Sequence, residues 1–165
     1  QVLGVDWTED AVTLTAASDP REGSGDAPAS ILAAEGETLE QAKAALVGAG
    51  EEYVSLTHVA QLVVGKDTCL RTVLEAALAE PALGQGATVW ISEGVTAREL
   101  LEAVDGGAKR LSSIQLNAGI EPVRVLQALM RLEEDGLVTV PGLTVTGETL
   151  EPSGEAVIRE EEHGK

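Results

Sequence analysis

Two histidines and one cysteine are the residues of this chain best suited to chemistry, and their spacing offers little. His58 stands alone on a β-favouring run and His163 lies near the C-terminus. A zinc site needs several His, Cys or carboxylate ligands at close spacing, so His58 reads as an ordinary sheet residue and no metal ligand is assigned. Cys69 falls beside a predicted helix N-terminus, where a thiolate is favoured. No histidine lies near it in sequence to act as a base, and a packed thiol is expected. No G-x-S-x-G, Walker A or G-x-G-x-x-G motif occurs, and Gly84-Gln85-Gly86 reads as a loop. No catalytic, cofactor-binding or metal residue is therefore assigned, and an enzyme is the less favoured reading. The better candidate is a binding surface. With Val125, Leu126, Leu129 and Leu132 turned inward on a helix, the opposite side carries Val123, Gln127, Met130 and Glu134, spaced i, i+4, i+7, i+11. Arg124 and Arg131 flank that stripe, and Glu133, Glu134 and Asp135 close it. Exposed Val123 and Met130 point to a protein contact, since methionine suits adaptable surfaces.

Composition narrows the partner. The chain has 165 residues, with 11 basic against 28 acidic side chains and a net charge of −17. Phosphate backbones require clustered Lys and Arg, so nucleic acid is an unfavoured partner, as is an anionic membrane. At 44% hydrophobic the chain has material for a core. With no Phe and 2% aromatics that core must be built from Leu, Val, Ile and Ala. A single cysteine excludes an internal disulfide and suggests a cytoplasmic setting. No apolar run approaches the ~18 residues of a membrane span, and no signal peptide is visible. Lacking an initiator Met, the chain reads as a fragment or a trimmed form of a longer protein.

The elements that would position these residues follow from periodicity and punctuation. Val2–Val5 and Ala11–Ala16 read as strands of a hairpin joined by a turn, Asp6-Trp7-Thr8-Glu9-Asp10. Ser18 to Ser30, rich in Ser, Gly, Pro and Asp, reads as a mobile loop, and Ile31–Ala34 as a third strand. Thr38 and Gln41 open a helix. Tyr53–Val64 is one long β-favouring run or two short ones. Asp67 caps a helix lined by Leu70, Val73, Leu74 and Ala77, with Pro81 at its end. Ala87–Ile91 is a further strand. The order β-β-β-α-β-α-β predicts an α/β layer with a mixed, partly parallel sheet. Beyond it, Thr96 and Glu99 form a T-x-x-E capping box ahead of an apolar helical face, ended by Gly106-Gly107. Ser112 and Gln115 open a second, short helix that stops near Gly119. Pro122 suits the first turn of a third, and Gly136 its C-terminal stop. Leu137–Val140 and Leu143–Val145 flank Pro141-Gly142 as a turn.

That succession of helix, short helix, third helix ending R-L-E-x-x-G-L-V and β-like wing resembles the winged helix-turn-helix family over 93–150. The opening LGVDW followed by a hairpin resembles ribonuclease H-like and actin-like folds over roughly the first ninety residues. In those families an Asp at the end of the first strand serves metal or nucleotide, and Asp6 holds that place. Two departures oppose such a role. Trp7-Thr8-Glu9-Asp10 replaces the Gly-containing phosphate loop, and metal would need further carboxylates, for which Glu51, Glu52 and Asp67 are available. A turn residue is the favoured reading of Asp6. The expectation is thus an α/β half over 1–92, a small α+β winged-helix domain over 93–150, separable from it, and an acidic, frayed tail over 151–165. The leading function is a non-enzymatic regulatory or scaffold protein. Its acidic winged helix would contact a protein partner or a second copy through Val123, Arg124, Gln127, Met130 and Arg131. The alternatives are a DNA-binding winged-helix regulator, which would need a patch from Arg98, Lys109, Arg110, Arg124 and Arg131, and a divalent-metal ribonuclease H-like nuclease centred on Asp6.

Overall fold

The computed structural model describes residues 2–18, 30–49, 59–79, 87–103, 114, 119–147 and 149–159. Among the described residues seven strands, β1 (Val2–Trp7), β2 (Val12–Ser18), β3 (Ser30–Gly36), β4 (Gln61–Val64), β5 (Thr88–Ser92), β6 (Leu137–Thr146) and β7 (Thr149–Arg159), form one mixed sheet in the order β3-β2-β1-β4-β5-β6-β7. The described helices are α1 (Leu39–Ala49), α2 (Leu70–Ala79), α3 (Ala97–Glu102) and α4 (Val125–Asp135). β1, β4 and β5 run parallel, and β2, β3 and β7 pair antiparallel with their neighbours. The β-β-β-α-β-α-β order expected over the first half is present.

The central strands are buried on both faces, as parallel strands between helices must be. Alternate residues of β1 and β4 point to opposite sides. Leu3, Val5, Leu62 and Val64 join one apolar cluster with residues of α1, α2 and α4, while Val2 and Val63 join another with Ala97, Leu100 and Leu101 of α3. The result is a sheet between two layers. On the α3 side Gly4 leaves room that a Cβ would take from Leu101 and Ala97. There too the buried Trp90 Nε1 donates to Gln61 Oε1 at 2.7 Å, which satisfies the indole inside the core.

Several expectations need correction. β1 runs through Asp6 and Trp7, which pair with Thr13 and Val12, so Asp6 is a strand residue rather than the start of a turn. Pro141-Gly142 makes no turn. Both lie inside the ten-residue β6, at a register shift between Gly142 and Leu143, a place that tolerates Pro and Gly. The hairpin turns instead at Gly147, with φ +65. Residues 151–159, expected as a frayed tail, form most of β7, which pairs with β6 along its length and packs Leu150 and Ile158 inward. That edge strand is blunted by Pro152, by Gly154 at φ +101 and by Glu151 and Glu155, the usual defences against edge-to-edge pairing. Pro122 does not open a helix. Val89 N–H donates to the Val123 carbonyl (2.8 Å) and Val125 N–H to that of Ala87 (3.1 Å), so residues 123–125 pair with β5 and α4 begins only at Val125.

The sheet continues across residue 92, and Leu129 and Leu132 of α4 share one cluster with Leu70, Val73 and Leu74 of α2. A fragment from Glu93 to Leu150 would lose those partners at a length already near the lower limit for a lone core. It is expected to give an unfolded circular dichroism spectrum, and a cooperative melt would restore it as a separable unit.

Candidate functional site

Two places were open to function: the carboxyl ends of the parallel strands, and the outer side of α4. In open α/β sheets ligands bind outside the strand ends where successive helices leave to opposite faces. Here that point lies between β4, which leads to α2 on one face, and β5, which leads to α3 on the other. The protein fills it with its own groups. Asp6 Oδ1 accepts from Ala97 N–H (2.8 Å) and Oδ2 from Arg98 N–H (3.0 Å), so the carboxylate holds the N-terminus of α3. Gly65, following β4, donates its N–H to the Val5 carbonyl (2.9 Å) and lies against the Asp6 carboxylate. Lys66 N–H reaches the Val95 carbonyl (3.3 Å), tying the two loops together. Asp67, at φ +63, belongs to the same turn, and Thr68 Oγ1 accepts from Trp7 N–H at 2.9 Å. The Thr96 capping box is formed in both directions, Glu99 N–H to Thr96 Oγ1 (3.1 Å) and Thr96 N–H to Glu99 Oε1 (3.2 Å).

Asp6 is 8% exposed, and burial pushes its carboxyl above its ordinary value of 3.8. The two backbone donors pull against the rise, and Glu99 adds to it. Between the ordinary and the raised value the folded chain binds more protons at this group than the unfolded chain does. The Asp6 contribution to stability is therefore fully present below the ordinary carboxyl range and falls as pH rises through the raised one. Asp6→Asn is expected to remove that component of the slope, read by urea unfolding at a series of mildly acidic pH values. An unchanged slope would show that Asp6 titrates alike in both states.

Of the surface residues expected to meet a partner, the structure keeps four outside and takes one away. Arg124, Gln127, Met130 and Arg131 are exposed, whereas Val123 is 6% exposed and belongs to the main core. The expected stripe extended the helical period back through residue 123, which is extended chain paired with β5. Leu126, expected inside, is exposed instead. Gln127 also works locally, its Oε1 accepting from Arg124 N–H at 3.4 Å. Since β5 meets β6 only at Ile91↔Gly142 and Ser92↔Leu143, the sheet opens below that contact. A groove there is floored by Ile120, Pro122, Val123, Pro141 and Pro152, with Arg131 on its wall. His58, His163, Glu51, Glu52, Lys109, Arg110, the Ser112–Gln115 box and Gly84–Gly86 lie outside the described residues. Among the described residues no group of three or more His, Cys, Asp or Glu is placed to hold a metal ion, and no helix is long and apolar enough to cross a membrane.

Gly65, Glu155 and Val157 escaped the sequence reading. Gly65 gives no signal without Asp6 beside it. The last two fall in the stretch that reads as tail, and the short β-favouring run Ala156-Val157-Ile158 was the one signal for a strand there. No family model, curated protein or solved structure matches this chain.

Proposed function

We propose that this chain is a non-enzymatic regulatory or scaffold protein that contacts another protein through α4, in a C-terminal region of winged-helix type. One observation carries the reading. Met130 is 49% exposed on the side of α4 turned from the core, one turn from the exposed Leu126, with Arg124, Gln127 and Arg131 around it. An exposed methionine beside an exposed leucine makes an adaptable apolar contact. Only the order of α3, α4 and the β6–β7 hairpin along the chain supports the winged-helix reading, since α3 and α4 pack on opposite faces of one sheet. Charge favours protein over DNA. Glu133, Glu134 and Asp135 are exposed at the end of α4, and Arg98, one cation that a DNA-binding patch would need, is paired with Glu102 at 3.4 Å. The engagement of both Asp6 oxygens by α3 supports the non-enzymatic half of the reading over a metal nuclease.

The test is the double variant Leu126→Glu, Met130→Glu. Surface substitutions usually stay within ~0.5 kcal/mol each, so melting is expected to change little. Capture of the partner from extracts of cells that make the protein is expected to fall at least tenfold, because a carboxylate buried without a partner is costly. Unchanged capture would remove α4 from the contact. A salt-resistant duplex DNA complex far tighter than the ~10⁻⁴ to 10⁻⁶ M of non-specific binding would favour the DNA-binding regulator instead.

A further inference from the structure

The groove beside α4 and the sheet face next to it complement each other. Arg131 lines the groove from α4, and Glu121 and Glu155 line it from the facing segments. All three are exposed, and among the described residues no ion pair joins Arg131 to either acid. Thr139 pairs with Val157 and Pro141 with Glu155. Cross-strand partners share a face, so Val157 and Glu155 stand on the side of the groove residues Thr139 and Pro141, while Ile158 packs into the core on the other. Val157 is 51% exposed, and Leu137 is 40% exposed on the same face. The patch thus holds an apolar knob beside an apolar hollow, and a free cation beside carboxylates.

That arrangement suits an isologous contact, in which a twofold axis lays each half of a patch on the other half of its copy. We propose that two copies of this chain pair through this face about a twofold axis. Val157 of each enters the groove of the other, and Arg131 of each meets the partner subunit's Glu155. The inference rests on the protein-contact reading above and names a second copy as one partner. Pairing along the β7 edge is not the route, since Pro152, Gly154 and the edge carboxylates oppose it. The net charge of −17 on each copy also opposes association. That repulsion acts at long range and is screened beyond ~8 Å at physiological ionic strength, whereas the Arg131–Glu155 contact is close. The dimer is accordingly expected at physiological salt rather than in salt-free water.

Sedimentation velocity on the full chain tests this with Arg131→Glu, Glu155→Arg, Val157→Asp and an equimolar mixture of the first two. The parent is expected to sediment as a dimer. Each single variant is expected to raise the dimer dissociation constant at least tenfold, with an unchanged circular dichroism spectrum because all three side chains are exposed. The mixture is expected to regain the dimer, since both symmetry-related contacts then join a cation to a carboxylate. A monomeric parent, single variants that stay dimeric, or a mixture that stays monomeric would each overturn the proposal. A monomeric parent would leave the Met130 contact standing, because that contact is read by partner capture and not by self-association.

Discussion

Gly65→Ala is expected to destabilise the chain by about 3 kcal/mol, the sum of overpacking and a disturbed buried hydrogen-bond pair. The site leaves no room for a methyl group. A Cβ at Gly65 would fall on Asp6 Oδ1 and come within 2.9 Å of the Ala97 backbone nitrogen. Those two atoms are hydrogen-bonded to each other, at 2.8 Å. The added methyl must therefore push the carboxylate off the N-terminus of α3 or push α3 off the sheet. Either movement breaks a charge-assisted bond in a buried setting, and such bonds are stronger than neutral ones. The mechanism has its own check. In an Asp6→Ala background the carboxylate is gone, and Gly65→Ala should cost at least 1 kcal/mol less than in the parent, the signature of two coupled sites. Equal costs in both backgrounds, measured by urea unfolding, would mean that the methyl clashes only with α3 and that Asp6 is a bystander.

How much of this was legible in sequence depends on how far each signal reaches. The Thr96–Glu99 box, the Gly136 stop at φ +74 and the alternation of the first strands are local, and each lies where local rules put it. Asp6 was visible as a conspicuous acid at the end of an apolar run. Its role was hidden because the donors that use it lie 91 and 92 residues away. The β7 strand was hidden for a different reason. Its exposed half carries Glu151, Ser153 and Glu155, so its composition resembles a tail, and only the pairing with β6 makes it a strand. The helix pattern around residue 123 misled through phase. Pro122 and a run of apolar residues fit a helical start, but the backbone of 123–125 had a competing partner in the open half of β5. Propensity lost there to a tertiary hydrogen bond, and with it one predicted contact residue moved from the surface to the core.

That displacement gives the sharpest contrast along the chain. Val123→Glu is expected to cost about 4 kcal/mol, at the upper end for a single substitution, whereas Met130→Glu, two helical turns further on, is expected to stay within ~0.5 kcal/mol. Val123 is 6% exposed and sits in the main cluster with Val125, Ala128 and Val89. Its carbonyl is held by Val89 N–H at 2.8 Å, so the residue cannot swing outward without giving up its link to β5. A carboxylate there would stand among the aliphatic side chains of the cluster, with Arg131 across the groove as its one cation on that side, and burial without a close partner is the costly case. Met130 reaches half into water, and a charge in its place keeps its hydration. Since small domains are stable by only about 5–15 kcal/mol, the first substitution should lower the urea midpoint severely and the second should not move it. The comparison also separates the two ways in which a variant would lose the proposed partner. Val123→Glu would lose it by unfolding and Met130→Glu by the surface alone. If both variants melt like the parent, the 123–125 segment does not pair with β5, and the groove that it helps to form goes with it.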